Sequence, residues 1–211
     1  MDDPAGFAPV ETLEQVLEES RRLGFLGPGP LTPQIDHARG FASTRERTPD
    51  SFLDLGSGGG LPGLVLALEW PKARAVLLDA MHRRTEFLRA ACARLGFGDR
   101  VEVICARAED AGRDPALRGR FEVVTARSFG PPAVTAECGV GFLRAGGALI
   151  VSEPPADDPD RWPAAGLGEL GLAVDRPATA EHRFVMLGLR GPAPSRYPRR
   201  VGVPGKRPLW A

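Results

Sequence analysis

Apolar and polar residues follow two different rhythms along this chain. Residues 9–26 place apolar side chains three or four positions apart, which predicts an amphipathic helix. The segment GPGPLTP at residues 27–33 predicts a turn or linker, because proline lacks the backbone N–H that a helix needs. Residues 34–48 show no clear period. We therefore predict an N-terminal helical segment and linker over residues 1–48 and a main domain over residues 49–211.

From residue 51 short apolar runs alternate with segments of helical period. We predict strands at SFLDLG, ARAVLLD, RVEVICA, FEVVTAR and GALIVSE, with a helix after each of the first four. Such alternation implies right-handed crossovers and a mostly parallel sheet covered on both faces, so the predicted fold class is α/β, doubly wound. Two later segments, residues 171–178 and 183–190, can pair as a hairpin, and residues 191–211 form a basic, proline-rich tail.

Composition and charge exclude several classes of protein. The 27 basic residues balance 27 acidic ones, which argues against nucleic-acid binding over the whole surface but allows a local patch. The three cysteines have no CxxC spacing and there are only three histidines, so we predict neither a disulfide framework nor a metal site. No apolar run reaches the ~18 residues of a membrane helix, and the acidic N-terminus does not resemble a signal peptide. We expect a cytoplasmic protein without membrane contacts.

The stretch FLDLGSGGGLPG predicts a cofactor-binding loop. Gly56, Gly58 and Gly60 come directly after the first strand and before a helix, where bare backbone lets amide groups approach a ligand. Asp79 ends the next strand, where a carboxylate can accept hydrogen bonds from a ribose diol. Nicotinamide enzymes and S-adenosylmethionine methyltransferases both use this arrangement.

Asp54, two residues before the first glycine, favours the methyl donor. In a dinucleotide loop it would repel the pyrophosphate by about 1 kcal/mol or more in a partly dry site. S-adenosylmethionine has no phosphate, and its sulfonium and ammonium groups are complementary to a carboxylate. The alternative for Asp54, a cap for the following helix, remains open.

Two later strand ends fit the same cleft. Ala108 and Glu109 follow the third strand, where a methyltransferase holds the adenine, and Arg127 ends the fourth strand, close to the expected position of the methyl group. The tail supplies candidates for RNA binding, with the alternative that it is a disordered charged terminus. These candidates are Arg196, Arg199, Arg200, Lys206 and Arg207, with Tyr197 and Trp210 for stacking.

The motifs LDLGSGGGLPGLVLA, LLDAMHRRTEFLRAA, ARAED, TARSF, HRFVML and YPRRVGVPGKRPL together resemble the bacterial family of 16S ribosomal RNA guanine-N7 methyltransferases, also called glucose-inhibited division protein B. The resemblance implies a class I, Rossmann-like methyltransferase domain, S-adenosylmethionine as cofactor, and ribosomal RNA or the 30S subunit as partner. It implies cofactor contacts at Gly56, Leu61, Ala108, Glu109 and Arg127, and RNA contacts from the tail.

The chain departs from the family pattern in two places. Its N-terminal segment holds only Asp36, His37 and Arg39 as partial matches to the usual motif. Ser152 and Glu153 stand where the family usually has a lysine and a glycine, and an anion close to an RNA phosphate would be unfavourable.

Guanine N7 has a free lone pair and no proton to lose, so its methylation requires alignment more than a general base. The histidines have no evident triad partners, and we assign no catalytic residue. Three alternatives stay open: a related enzyme that methylates a small molecule, a non-catalytic binding module, and, more remotely, a nicotinamide-dependent reductase.

Overall fold

The computed structural model describes residues 12–154, 158, 160–175 and 183–211, so residues 9–11 of the predicted first helix, residues 176–178 of the predicted hairpin and His182 lie outside it. A seven-stranded sheet forms its centre. The strands are β1 Ser51–Leu55, β2 Arg74–Asp79, β3 Val101–Cys105, β4 Phe121–Ala126, β5 Leu143–Ser152, β6 Leu172–Asp175 and β7 Phe184–Leu189. The helices are α1 Leu13–Arg22, α2 Leu31–Ser43, α3 Gly63–Glu69, α4 His82–Arg94, α5 Ala108–Ala111, α6 Pro132–Val140, α7 Ala164–Glu169 and α8 Val203–Lys206, with a 3-10 helix at Gly98–Arg100.

The sheet has the strand order β3-β2-β1-β4-β5-β7-β6. Strands β1 to β5 pair in parallel, and β7 runs antiparallel to both β5 and β6. This order confirms the doubly wound α/β fold and the predicted hairpin. The order reverses between β1 and β4, and ligands of open α/β sheets bind at such a switch point, beyond the carboxyl ends of the strands. No helix in the described ranges is long and apolar enough to cross a membrane.

Three elements differ from their predicted bounds. Helix α2 begins at Leu31, inside the predicted linker, because Pro33 lies in its first turn, where backbone N–H groups have no helical partner. The helix predicted after the third strand shrinks to α5, which ends at Ala111, and a turn follows in which the Asp114 carboxylate accepts from the Ala116 amide at 2.9 Å. Strand β5 begins at Leu143, earlier than predicted, and pairs with β4 across an irregular register.

Helices α1 and α2 pack into the same core as the sheet. Val16, Leu17 and Phe41 are fully buried and share one hydrophobic cluster with Phe52 of β1 and Leu64 of α3. Residues on both sides of the boundary that we predicted near residue 48 therefore contribute to one core. Each buried leucine or phenylalanine adds roughly 1.5–3 kcal/mol of hydrophobic stabilisation.

The basic tail is packed against the domain. Arg199 donates through Nε and Nη2 to both carboxylate oxygens of Glu137, at 2.8 and 2.6 Å, and Glu137 is fully buried on α6. Arg118 donates to the carbonyl oxygens of Tyr197 and Pro194, at 2.7 and 2.9 Å. The alternative of a disordered terminus is therefore wrong for this segment.

We expect Arg199→Met to lower the free energy of unfolding by about 3 kcal/mol, because it leaves the buried Glu137 carboxylate without its charged partner. The neighbouring Arg200 is exposed, and Arg200→Met should stay within about 0.5 kcal/mol of the wild type. Urea unfolding followed by circular dichroism measures both. Equal stabilities of the two variants would contradict a structural role for the Arg199–Glu137 pair.

Candidate cofactor and substrate site

The loop after β1 is held by β2 and by α1. The amide groups of Gly56 and Ser57 both donate to the carbonyl oxygen of Leu78, at 2.8 and 2.9 Å. The Ser20 hydroxyl donates to a carbonyl oxygen of the loop at 2.8 Å. Gly56 has a φ of +73°, and a Cβ there would lie 2.7 Å from the Phe129 ring. Only glycine fits this position without displacing Phe129.

A cavity of about 390 Å³ opens at the carboxyl ends of β2 and β3, and we call it the β2–β3 cavity. Asp79 lies in its wall, where one carboxylate oxygen accepts from the Gly58 amide at 2.9 Å and the other from the Met81 amide at 2.8 Å. Each oxygen keeps a lone pair for a ligand. The wall also includes Ala108, Glu109, Phe129, Val134 and Gly205. Free carboxylate lone pairs beside an apolar wall can accept from hydroxyl groups of a ligand whose rings pack on that wall, and the predicted contact of Asp79 with a ribose stays a prediction.

The tail forms part of this cavity. Glu109 is buried, and its carboxylate accepts from the Gly202 amide at 3.0 Å. The Arg107 guanidinium lies 3.6 Å from the same carboxylate oxygen. Gly205, three residues further along the tail, lines the cavity. The sequence shows no pattern that places the tail here, and we did not predict it.

Asp54 does not reach the cavities, which corrects the predicted cofactor contact. Its side chain is 1% exposed, and its oxygens accept from the Gly63 amide at 3.1 Å and the Thr125 hydroxyl at 2.9 Å. Gly63 is the first residue of α3, so Asp54 caps that helix, which is the alternative left open above. Burial raises the pKa of Asp54 to about 6, and its hydrogen bonds oppose the rise.

Arg127 lies where two further cavities meet. The loop cavity, about 220 Å³, is lined by the glycine loop and Arg127, and the β4–β5 cavity, about 430 Å³, opens at the ends of β4 and β5. Arg127 donates to the Gln34 side-chain and backbone oxygens, at 3.3 and 3.5 Å. Burial lowers the pKa of its guanidinium, which nevertheless remains protonated. The position agrees with the sequence analysis, and the role of Arg127 stays a prediction.

Some of the other predicted cofactor residues line a cavity and others do not. Gly58 and Leu61 line the loop cavity. Gly60 lies behind it, and a Cβ there would stand 2.4 Å from Leu64. The sequence analysis did not identify Gln34 or Phe129 as site residues. No pattern in the sequence indicates Gln34, whereas Phe129 could have been identified because it closely follows the end of β4.

The predicted RNA-binding residues separate into those held by contacts within the protein and those that are exposed. Arg199 is bound to Glu137 and is therefore a structural residue, which corrects its assignment to RNA. Tyr197 is buried, and its hydroxyl donates to Glu169 at 3.0 Å, so it does not offer a stacking face. Trp210 packs against Trp162, which occupies one side of its ring. Arg196 lies over the Tyr197 ring. In the described tail, three basic side chains are exposed and have no acidic partner: Arg200, Lys206 and Arg207.

Comparison with known proteins assigns the chain to a family. A family model described as rRNA small subunit methyltransferase G matches residues 35–153. A ribosomal RNA small subunit methyltransferase G of Prochlorococcus marinus (strain MIT 9313) is 40% identical, over 85% of this chain and 73% of that protein. The protein of the same name from Rubrobacter xylanophilus is 34% identical, over 95% of this chain and 82% of that protein. This chain belongs to the methyltransferase G family.

Solved structures share the fold of this methyltransferase G family member. An O-methyltransferase from Bacillus cereus in complex with SAH superposes with a TM-score of 0.57 at 18% identity, over 84% of this chain and 90% of that chain. A 16S rRNA N2 G1207 methyltransferase from T. thermophilus, in complex with AdoMet and guanosine, gives a TM-score of 0.51 at 20% identity, over 77% and 40% of the two chains. At these identities the likeness shows the fold alone.

Membership of the methyltransferase G family confirms the resemblance identified in the sequence. It also confirms the predicted class of enzyme, a methyltransferase that uses S-adenosylmethionine. The individual contacts of the site residues remain predictions.

We expect Asp54→Asn to remove a pH-dependent part of the stability. The pKa of Asp54 is higher in the folded protein than its ordinary value of 3.8, so the folded state holds this proton more tightly than the unfolded chain. Stability from this group is therefore greatest below pH ~4 and falls by about 3 kcal/mol as pH rises through ~6.

The asparagine variant, which cannot ionise, lacks that fall. Urea unfolding of both proteins between about pH 4.5 and pH 7 measures the difference. Parallel stability profiles would show that Asp54 titrates normally in the folded protein.

Proposed function

We propose that this protein transfers the methyl group of S-adenosylmethionine to N7 of a guanine in 16S ribosomal RNA of the small subunit, in the cytoplasm. The observation that carries the proposal is the meeting of three cavities along one segment, Arg127–Gly130, directly after β4. This segment lies at the switch point of the sheet, between the glycine loop and the end of β5. A donor on one side and an acceptor base on the other would meet there.

The residues present fit S-adenosylmethionine. Asp79 can accept from the ribose hydroxyls, and Ala108 and Glu109 border the space for the adenine. The loop cavity can take the methionine part, with the Arg127 guanidinium available to its carboxylate. When bound, the cofactor supplies a methyl group on a cationic sulfur, which is electrophilic without further activation.

The chain supplies alignment and charge. Guanine N7 carries a lone pair and no proton, so no group on the protein needs to act as a base. His37 borders the β4–β5 cavity, but its ring lies 5.1 Å from the Phe184 ring and 6.0 Å from the Phe41 ring, in aromatic packing. Its place supports a role in shaping the cavity.

RNA recognition is assigned to the exposed cations of the tail. The three cations Arg200, Lys206 and Arg207 are exposed. Lys206 comes directly after Gly205, and Gly205 lines the β2–β3 cavity. Cations beside the cofactor can neutralise phosphates of a bound RNA and release their counterions. The family membership supports this substrate over a small molecule.

The direct test uses 30S subunits from cells that lack this protein. Incubation with labelled S-adenosylmethionine should incorporate one methyl group per subunit, and cleavage at 7-methylguanosine should locate it at one nucleotide. Calorimetry with the cofactor runs in parallel. Cofactor binding without incorporation into 30S subunits or naked 16S RNA would overturn the proposed substrate while leaving the enzyme class intact.

Gly56→Ala should weaken S-adenosylmethionine binding by at least about tenfold, because the new methyl group forces the Phe129 ring into the β2–β3 cavity. Gly146→Ala is the matched control. Gly146 has a φ of +74°, almost the same as that of Gly56, but open space around its Cβ and no place in the cavities. Calorimetry should show wild-type affinity for the control. Equal losses in both variants would attribute the effect to backbone strain alone.

Combined replacement of Arg200, Lys206 and Arg207 by alanine should raise the KM for 30S subunits and leave the affinity for S-adenosylmethionine unchanged. The slope of log KM against log salt should fall by about 2–3, near 0.7–0.9 for each lost phosphate contact.

A triple variant at the opposite end of the sheet provides the control. Lys72, Arg74 and Arg120 are exposed near the amino ends of β2 and β4, and their replacement by alanine removes the same charge. It should keep the wild-type slope. The same fall in both triple variants would indicate that net charge, and not the tail, determines RNA binding.

A further inference from the structure

The β4–β5 cavity contains a carboxylate that the proposed function has not yet used. Glu153 follows the last residue of β5 and lies in the cavity wall, with its side chain 14% exposed. Its amide donates to the Arg183 carbonyl at 2.9 Å, which extends the pairing between β5 and β7 by one residue. The backbone of Glu153 is therefore fixed by the sheet.

The Glu153 side chain is also fixed. Its Oε1 accepts from the indole Nε1 of Trp162 at 3.1 Å, and its Oε2 lies 3.1 Å from the guanidinium Nε of Arg161. Trp162 packs in turn against Trp210 of the tail. A carboxylate offers about four acceptor positions, and the Trp162 indole N–H uses one of those on Oε1. The Arg161 Nε–H is not aligned for a hydrogen bond, so its contact with Oε2 is an ion pair. At least one acceptor position therefore remains on each oxygen.

Two neighbouring acceptors match one edge of one base. Guanine presents two adjacent donors on its Watson–Crick edge, N1–H and the N2 amino group, whereas adenine presents an acceptor at N1. A carboxylate can therefore pair with guanine through two parallel hydrogen bonds and would oppose the N1 lone pair of adenine. Hydrogen bonds of this kind, with one charged partner, are the stronger ones.

The position of the cavity in the sheet agrees with the chemistry. The cofactor cavities lie on the side of β1, β2 and β3, and Glu153 lies at the end of β5, on the far side of β4. In guanine the N7 atom and the Watson–Crick edge lie on opposite sides of the ring system. A base whose Watson–Crick edge is bound at β5 therefore turns N7 towards the cofactor.

The geometry points to Glu153 as the residue that selects guanine, by accepting from N1–H and N2–H of the target base in the β4–β5 cavity. This inference rests on the proposed function and deepens it. It also gives a reason for an anion at this place: Glu153 is neutralised by Arg161 and faces a base, so it need not lie beside a phosphate.

The test removes one amino group, the N2 amino group of the target guanine, from the RNA. Once the methylated nucleotide has been mapped, 16S RNA is ligated with either guanosine or inosine at that position and assembled into 30S subunits. Inosine keeps N7, N1–H and O6 but lacks the N2 amino group. The wild type should lose at least about tenfold in kcat/KM on inosine.

In Glu153→Gln the difference in kcat/KM between guanosine and inosine should largely disappear, because the variant lacks the carboxylate that accepts from the amino group. Its activity on guanosine should be low, and its affinity for S-adenosylmethionine should be normal. Glu102→Gln is the matched control, because Glu102 is exposed on β3 and lines none of the three cavities. It should keep the wild-type preference. Glu153→Asp keeps the charge but shortens the side chain, so it should lower the preference even if the glutamine variant does not fold.

The results distinguish a failure of the role of Glu153 from a failure of the proposed function. Equal rates on guanosine and inosine in the wild type, or an unchanged preference in the folded Glu153 variants, would overturn the role of Glu153 and leave the proposed function standing. If the mapping experiment finds no methylated nucleotide in 30S subunits while the cofactor binds normally, the proposed function is overturned and this inference with it.

Discussion

Buried carboxylates that accept hydrogen bonds from backbone amides hold the walls of this site. Asp54, Asp79 and Glu109 lie at or just after the ends of three successive strands, and each is at most 6% exposed. They accept from the start of α3, from the glycine loop and from the tail respectively. Burying a carboxylate costs free energy, and the raised pKa of Asp54 is a consequence of that cost. The hydrogen bonds from backbone amides offset part of it. The glycine loop and the tail, which line the cavities, and the start of α3 are thereby tied to the carboxyl end of the sheet.

The tail shows how one basic segment can have two functions. Arg199 and Arg200 are neighbours in the chain, yet the first is bound to a buried glutamate and the second is exposed. The paired cation, Arg199, fixes the backbone of the tail, and that backbone then supports the wall of the β2–β3 cavity through its contact with Glu109. Exposed cations on a fixed backbone can be directed at phosphates without the entropic cost of ordering a free terminus. Binding of RNA and of cofactor would then share one structural element.

The fold could be predicted because its signal is local. Alternating apolar strands and helices are visible in the sequence, and so is the glycine-rich turn after β1 that locates the site. Most predicted cofactor positions line a cavity for the same reason, since strand ends in a parallel sheet converge. The error at Arg199 concerns a partner distant in the chain, Glu137, which no local pattern reveals. Asp54 has one distant partner, Thr125, and one nearby, Gly63, which the helix-cap alternative had indicated. Contacts at Gln34 depend in the same way on how α2 packs against the end of β4.

The reason for preferring a methyl donor over a dinucleotide changes with the structure. The sequence argument relied on direct repulsion by Asp54, but that side chain caps α3 below the loop. The stronger argument is that the loop has few amides left for a pyrophosphate. Gly56 and Ser57 donate to the Leu78 carbonyl, and Gly58 donates to Asp79. A dinucleotide loop relies on free amides to bind its phosphates. Here those amides donate to the protein itself, so few remain in the loop to bind the phosphates of a dinucleotide.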